Sequence, residues 1–526
     1  MPSESVVKLS FRELYVILVA GLGGLLYGVD IGVIAAALPY ISDTVHMTLA
    51  QTSLVVAAVL AGSSISSVAA GVLADRIGRK GAVVTAAVMF VGSIIAIGMS
   101  HAYIPLLIGR LAQGMSGGII AVVVPLYLAE ELTVERRGRG TAIFQFSLTF
   151  GIVVAAVVGT YYTRHVEQLM VGSIGQPAAA LIAEDHAWRS MFFALLYPGG
   201  TFLLMSMFLK ESRYWTKSQV QIAGSDRDLI QVVPSFSKEK ETFVSRESPV
   251  GSDNAQRLRG NVNSLWQRKY VIPFSLACVV LAFNQATGIN SILSYAVLLF
   301  HEAGLSATRA TQGDLLVKVV NCVFTLIAFT LIDRKGRKFL LVLGTSGIVL
   351  SLLSAGLLFR SIEGRSIDVK REVQAAVFAG SEVIQIESVR RAIHLTDRDA
   401  YTLSVLYSYG GGEKIVSAGS SDPLTSIRVA RTPDDPATGS LAIVRAQLSP
   451  RPSPLFGAAV TGCLVLFIAF FAIGPGVVVW LTLSELMPTR IRSKGMGMAL
   501  LLNQGVSTAS AAAFLLVVGL MRTQPC

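Results

Sequence analysis

The chain has 526 residues, of which 52% are hydrophobic and only 15% charged. Soluble chains carry roughly 25% charged residues, so the composition excludes a string of soluble domains and points to a helical membrane protein. A net charge of +11 would suit a nucleic-acid partner, but the basic residues sit in a few turns between apolar runs, and that placement excludes one.

Runs of about 20 apolar residues are long enough to cross a roughly 30 Å hydrocarbon core. They begin near Leu14, Thr52, Gly81, Ile104, Thr141, Trp188, Val271, Gly313, Phe339, Leu455 and Met496. The first is too long and too rich in glycine to be a cleaved signal, and no A-x-A site follows it, so it is read as a retained span. It holds Asp30 in "GLLYGVDIGVI", a mid-span position where a charge costs roughly 2.5–3.5 kcal/mol on insertion scales. The second span runs into the basic turn "LADRIGRK", with Asp75, Arg76 and Arg79. The fourth carries Arg110 and ends in "EELTVERRGR", with Glu130 and Arg137. Gln145 lies on the fifth span in "IFQFS", and Glu211 and Arg213 follow the sixth in "KESRYW".

Residues 210–270 are polar and basic and separate six spans from five. The seventh span holds Asn284, Gln285 and Asn290 in "FNQATGIN"; the eighth holds Asn321 in "VVNCVF" and ends in a second basic turn, "LIDRKGRK", with Asp333, Arg334 and Arg337. Lys318 falls near the outer end of this eighth run and is expected to extend its ammonium to the interface. Within 360–454, "VKREVQAAVFA" reads as helix, while "YTLSVLYSY", "TSIRVAR" and "SLAIVRAQL" alternate as short strands between turns. A small folded cap over the outer mouth is expected there. It shows no metal or nucleophile constellation, so no enzyme and no cofactor are expected. The tenth span ends at Trp480 in "GPGVVVW", Glu485 and Arg492 follow in "ELMPTRIRSKG", and the eleventh span carries Asn503 and Gln504. The four cysteines are scattered, without disulfide or metal spacing. Amides within apolar helices are costly unless partnered, so they should face the bundle interior, either lining a polar path or bonding helix to helix.

Lys and Arg crowd the connections after even-numbered spans, and the short connections after the first and third carry none. The positive-inside rule then places the N-terminus, the basic turns and 210–270 in the cytoplasm. Span counting places 360–454 outside, where a long segment escapes the charge rule.

The two basic turns belong to a repeat. Asp75 and Arg79 are followed by Glu130 and, seven residues on, Arg137; Asp333 and Arg337 are followed by Glu485 and, again seven on, Arg492. Asp30 and Asn290 precede their turns at nearly the same distance. The second interval is the longer one, by about the length of 360–454. The chain is thus a duplicated unit of about six spans: an N-terminal lobe 1–209, the linker 210–270, and a C-terminal lobe 271–359 and 455–526 interrupted by an insertion. Parallel repeats of this kind build two-lobed secondary transporters. The matched carboxylates and arginines at one membrane face are candidates for latches between rocking lobes, or else topology anchors alone.

The doubled "GxLADRxGRK"-like turn, "PLYLAEE…RRGRG", "AWRSMF", "KESRYW", "NQATGIN" and "GPGVVVW", in this order, resemble the sugar porter branch of the major facilitator superfamily. The resemblance covers nearly the whole chain except 218–262 and 360–454. It implies an all-α membrane protein with the superfamily's two six-helix-type lobes, the family's twelfth span having no counterpart after "MRTQPC". It also implies a secondary transporter for a sugar or polyol. Gln145, Gln285, Asn290 and Asn321 match amides that hydrogen-bond sugar hydroxyls, and Trp480 matches a tryptophan that packs on the sugar ring. A polyol needs such groups, amides that both donate and accept and one flat apolar face. Asn284 stands where the family has a second glutamine, and Asn503-Gln504 where it commonly has Asn-Trp. Asp30 matches the aspartate of proton-coupled members, where facilitative members carry asparagine, and Arg110 matches the arginine beside it. A carboxylate next to a fixed cation can exchange pairing for protonation as the lobes rock; a static ion pair is the alternative.

The sequence is accordingly expected to be a proton-coupled sugar or polyol symporter working as a monomer in the lipid bilayer of a plasma or bacterial inner membrane. A facilitative uniporter, a carrier for another small polar solute and a non-transporting sugar sensor are the alternatives.

Overall fold

A bilayer offers no water to backbone amides, so long apolar runs close their hydrogen bonds within helices. The computed structural model describes residues 10–45, 47–172, 177–216, 219, 268–363, 366–378, 383–394, 401–410, 412–419, 426–429, 431, 440–450, 453–479 and 492–521. The first span is α1 (Phe11–Val45), and α2 (Leu49–Gly98) carries the second and third. The fourth is α3 (Tyr103–Glu131) and the fifth α4 (Val134–Gly172). The sixth is made by α5 (Pro177–Phe193) with α6 (Leu196–Met207), and the seventh by α7 (Arg268–Ala286) with α8 (Ile289–Glu302). The eighth and ninth are α9 (Ala307–Lys335) and α10 (Arg337–Glu363). After an inserted unit come α13 (Pro454–Ile473) and α14 (Arg492–Met521), the tenth and eleventh. Among the described residues nine helical stretches are long and apolar enough to cross a bilayer. One of these, Leu49–Gly98, makes two crossings because it folds back at Gly78.

That fold shows the duplication in the backbone itself. Gly78 has φ 85° and ψ 163°, and Gly336, at the matching place between α9 and α10, has φ 79° and ψ 159°. This region is essentially closed to residues with a Cβ. Both copies of the basic turn therefore need their glycine.

Small residues set the depth of the charged groups. An added Cβ at Gly28 would lie 1.9 Å from the Leu148 carbonyl oxygen, and one at Gly114 would lie 2.0 Å from that of Val59. Spans 1 and 5, and spans 4 and 2, thus touch backbone to backbone, the packing that small residues allow in a membrane. Asp30 and Arg110 are fixed in register by these contacts.

The insertion contains β1 (Ile367–Asp368), α11 (Lys370–Phe378), β2 (Val383–Gln385), α12 (Ile386–Ala392), β3 (Tyr401–Ser408), β4 (Glu413–Gly419), β5 (Ser426–Arg428) and β6 (Ala442–Pro450). Four strands form an antiparallel sheet in the order β1-β6-β3-β4, and β2 pairs with β5. Val369, Val373, Leu403, Val405, Ile427, Ala446 and Leu448 close a core separate from those of the spans. The helix and three of the strands match the sequence expectation. Thr48 caps α2 with a capping box through Gln51, and Gly412 of the inserted unit lies against Thr48, where an added Cβ would come within 2.7 Å of its Cγ2. The insertion therefore sits at the end of the bundle opposite the Gly78 turn.

Candidate functional site

Polar residues are sparse in these helices, and their pairings mark out a candidate site. Asp30 and Arg110 are almost wholly buried, and Arg110 Nη1 lies 3.5 Å from Asp30 Oδ1, a long contact for a charged pair. The same Nη1 donates to Gln113 Oε1 at 2.8 Å. Asp30 Oδ2, Arg110 Nε and Gln113 Nε2 are buried without a hydrogen-bond partner among the described residues. A buried polar atom left this way is uncommon and marks a strained or functional place.

The seventh span breaks at Gly288, which takes a left-handed conformation (φ 79°, ψ 17°). Continuous helix would spread Gln285 and Asn290 around its circumference, whereas the break turns them toward each other. Asn290 Nδ2 donates to Gln285 Oε1 at 3.0 Å and to Ser507 Oγ of the eleventh span at 2.7 Å. Discontinuous helices of this kind commonly present polar groups at the membrane midplane. Asn284 and Asn503 are buried, and the Oδ1 of each has no partner among the described residues. Gln504 Nε2 reaches Tyr27 Oη at 3.4 Å, linking the C-terminal lobe to the first span one turn from Asp30. Gln145 and Asn321 lie on facing helices. One turn beyond Gln145, Thr149 Oγ1 contacts the Sγ of Cys322, next to Asn321, at 3.6 Å. Trp480 lies outside the described residues.

At the face bearing the Gly78 turn, Arg79 joins three carboxylates. Its Nη1 donates to Asp75 at 2.8 Å, its Nη2 to Glu130 at 2.9 Å, and its backbone N–H to Glu211 at 2.7 Å. Glu211 also accepts from the Lys80 N–H at 3.2 Å, capping the helix that starts after Gly78, where a carboxylate is favoured. Ser212 Oγ donates to Glu130. Arg76 is exposed, and Arg213 joins through its backbone N–H to Glu131, not through its guanidinium. This cluster ties spans within one lobe. In the second copy Arg334 and Arg337 are exposed. Glu485, the side chains of Arg137, Asp333 and Arg492, and nearly all of the 210–270 linker lie outside the described residues.

One expectation is overturned. Lys318 does not reach the interface: it is fully buried, 2.6 Å from Asp314 Oδ2 and 3.0 Å from the Gly32 carbonyl oxygen. The apolar run suggested a span beginning near Gly313, but α9 begins at Ala307, capped by Ser306. Lys318 is therefore about 16 Å along the helix, too deep to snorkel. Sequence reasoning also missed Gln113, Ser212, Ser507 and Tyr27, which look like ordinary filler until the helices are packed.

The profile of the family described as "Sugar (and other) transporter" matches residues 16–378 and 440–525. The chain belongs to the sugar porter family. Its gap, 379–439, falls inside the inserted unit. This sugar porter is 28% identical to the glucose transporter GlcP of Staphylococcus epidermidis over 66% of its own length and 72% of the relative's. It is 29% identical to the galactose-proton symporter of Escherichia coli K12 over 63% and 66%, respectively. In structure it is similar to a crystal structure of a D-xylose-proton symporter, with TM-score 0.63 and 20% identity, over 96% of this chain and 90% of the other. An inward-open structure of the E. coli xylose transporter XylE gives 0.58 and 19%, over 96% and 89%. These neighbours share the major facilitator fold.

Proposed function

We propose that this sugar porter is a secondary active transporter, not an enzyme, that carries a sugar or polyol together with a proton by alternating access. The observation that carries the reading is Asp30: a carboxyl without exposure, one oxygen at long range from a fixed guanidinium and the other unpartnered among the described residues. One turn away, Tyr27 touches Gln504 of the facing lobe, so the proton site adjoins the amides that would hold the solute. The naming of relatives as a galactose-proton symporter and a D-xylose transporter supports the same substrate class.

In this reading Gln145, Gln285, Asn290 and Asn321 exchange donor and acceptor bonds with sugar hydroxyls, with Asn284, Asn503 and Gln504 completing the polar lining and Trp480 supplying a flat face. When Asp30 takes up a proton its charge vanishes and its hold on Arg110 weakens; Gln113 keeps the guanidinium paired. The charge facing the interlobe space thus differs between loaded and empty carrier, which couples proton to sugar. The N-terminus and both basic turns face the cytoplasm, the insertion faces outward, and the protein works as a monomer in a cell membrane.

Asp30→Asn tests it in liposomes holding equal amounts of folded protein. Sugar counterflow should persist while accumulation driven by an inward proton gradient disappears. Gradient-driven accumulation that survives the substitution would sink the proton role. A joint fall of folding and sugar binding would instead mark a static ion pair, whose broken form costs about 3–5 kcal/mol.

A further inference from the structure

The eighth span holds a buried ion pair that neither Asp30 nor the amide cluster uses. Asp314 and Lys318, one turn apart on α9, are 1% and 0% exposed. Lys318 Nζ donates to Asp314 Oδ2 at 2.6 Å and to the Gly32 carbonyl of α1, in the other lobe, at 3.0 Å. Gly32 is two residues beyond Asp30. Asp314 thus neutralises the ammonium within its own helix, and the ammonium's second bond is spent across the lobe boundary. Charge-assisted bonds of this type are among the stronger ones available to a side chain.

The neighbouring contacts cross the same boundary. Thr160 Oγ1 of span 5 donates to the Thr311 carbonyl at 3.3 Å, and the Thr308 N–H donates to Glu167 at 2.8 Å. The Thr308 hydroxyl also donates to Glu167. All of these lie in the half of the bundle away from the Gly78 turn. The lobes are closed against each other in that half, one of the two end states a rocking carrier visits.

We propose that Lys318, held by Asp314, is a tether that closes this half of the transport path. Its bond to Gly32 forms when the lobes meet there and breaks when they part. Asp314 keeps the ammonium paired in both states, so opening strands no charge in hydrocarbon. The tether stabilises the closed half without locking it. This inference rests on the alternating-access reading above.

Ala35→Cys, with the four native cysteines replaced by serine, reports on the tether. Ala35 is 1% exposed and packs among Ile289, Ile292 and Leu293 of the C-terminal lobe, so a thiol there reacts with a membrane-impermeant maleimide only when this half opens. D-xylose, D-galactose and D-glucose should each be tried for an effect on labelling of this parent. Adding Asp314→Leu with Lys318→Met removes both charges and the tether together, and labelling should rise about tenfold in folded protein. An unchanged rate overturns the proposal. Should that variant fail to fold, Asp314→Asn with Lys318→Leu replaces it; failure of both makes the pair a folding element and also overturns the tether. If labelling of the parent ignores all three sugars while the double variant labels faster, alternating access fails and the proposal falls with it.

Discussion

Asn290 is the residue on which most of the amide cluster turns. Its single NH2 group is divided between Gln285 Oε1 and Ser507 Oγ, which holds the Gln285 carbonyl toward Asn290; in the proposed site the Gln285 NH2 is the group that meets the solute. Removing that amide by Gln285→Ala should weaken sugar binding by about 1–3 kcal/mol, roughly five- to 150-fold. Ser507→Ala removes only an orienting bond and should lower affinity by about 0.5–1.5 kcal/mol. Calorimetry on folded protein distinguishes the two. Affinity unchanged in Gln285→Ala would take that residue out of the site. The contrast between these residues also shows what is legible in a sequence. Asp30, Gln285 and Asn290 stand out because charge and amides are rare in apolar runs. Ser507 and Tyr27 do not, because hydroxyl side chains are tolerated anywhere in a helix and only packing reveals which of them meets a partner.

Elements were readable wherever a local rule governs them. Eleven apolar runs became helices, and two closely similar basic turns acquired the same glycine conformation. The beginning of span 8 was not readable, because Ser306 starts the helix in a polar stretch that hydropathy assigns to a loop, and Lys318 was misplaced as a result. In the insertion β4, preceded by Gly410 and Gly412 and ending at Gly419, lacks a clear alternating pattern and is defined by pairing with β3, from Thr402 opposite Gly419 to Ser408 opposite Glu413. The repeat supports a paired prediction. Gly336→Ala adds only backbone strain, since nothing lies within 4 Å of its added Cβ, whereas Gly78→Ala also places Cβ 2.2 Å from Glu211 Oε2. Glu211 cannot swing away without releasing the Arg79 and Lys80 N–H groups. Gly336→Ala should therefore cost about 1–3 kcal/mol, and Gly78→Ala should cost more and release the segment after span 6. Thermal unfolding ranks the two, and protease sensitivity near Trp215 reports the release. Equal destabilisation would show that the Glu211 cap contributes nothing.

Across the full bundle, charge and packing bear independently on orientation, and they meet at the insertion. Basic turns at one end of the bundle favour the cytoplasmic side by the charge rule, but that rule is blind to a long segment such as 360–454. Packing is not blind to it: Gly412 lies against Thr48, which begins α2 at the end away from Gly78. The insertion and the Gly78 turn therefore belong on opposite sides of the membrane whichever side is the cytoplasm, and charge alone decides which. Ile77, 45% exposed in the basic turn, and Ser388, exposed on α12, report the two sides. With the native cysteines replaced, a membrane-impermeant thiol reagent added to intact cells should label Ser388→Cys at once and Ile77→Cys only after the membrane is permeabilised. Labelling of Ile77→Cys with protection of Ser388→Cys would reverse the orientation and leave the packing intact. Labelling of both from one side would separate the insertion from Thr48 and overturn its place in the fold.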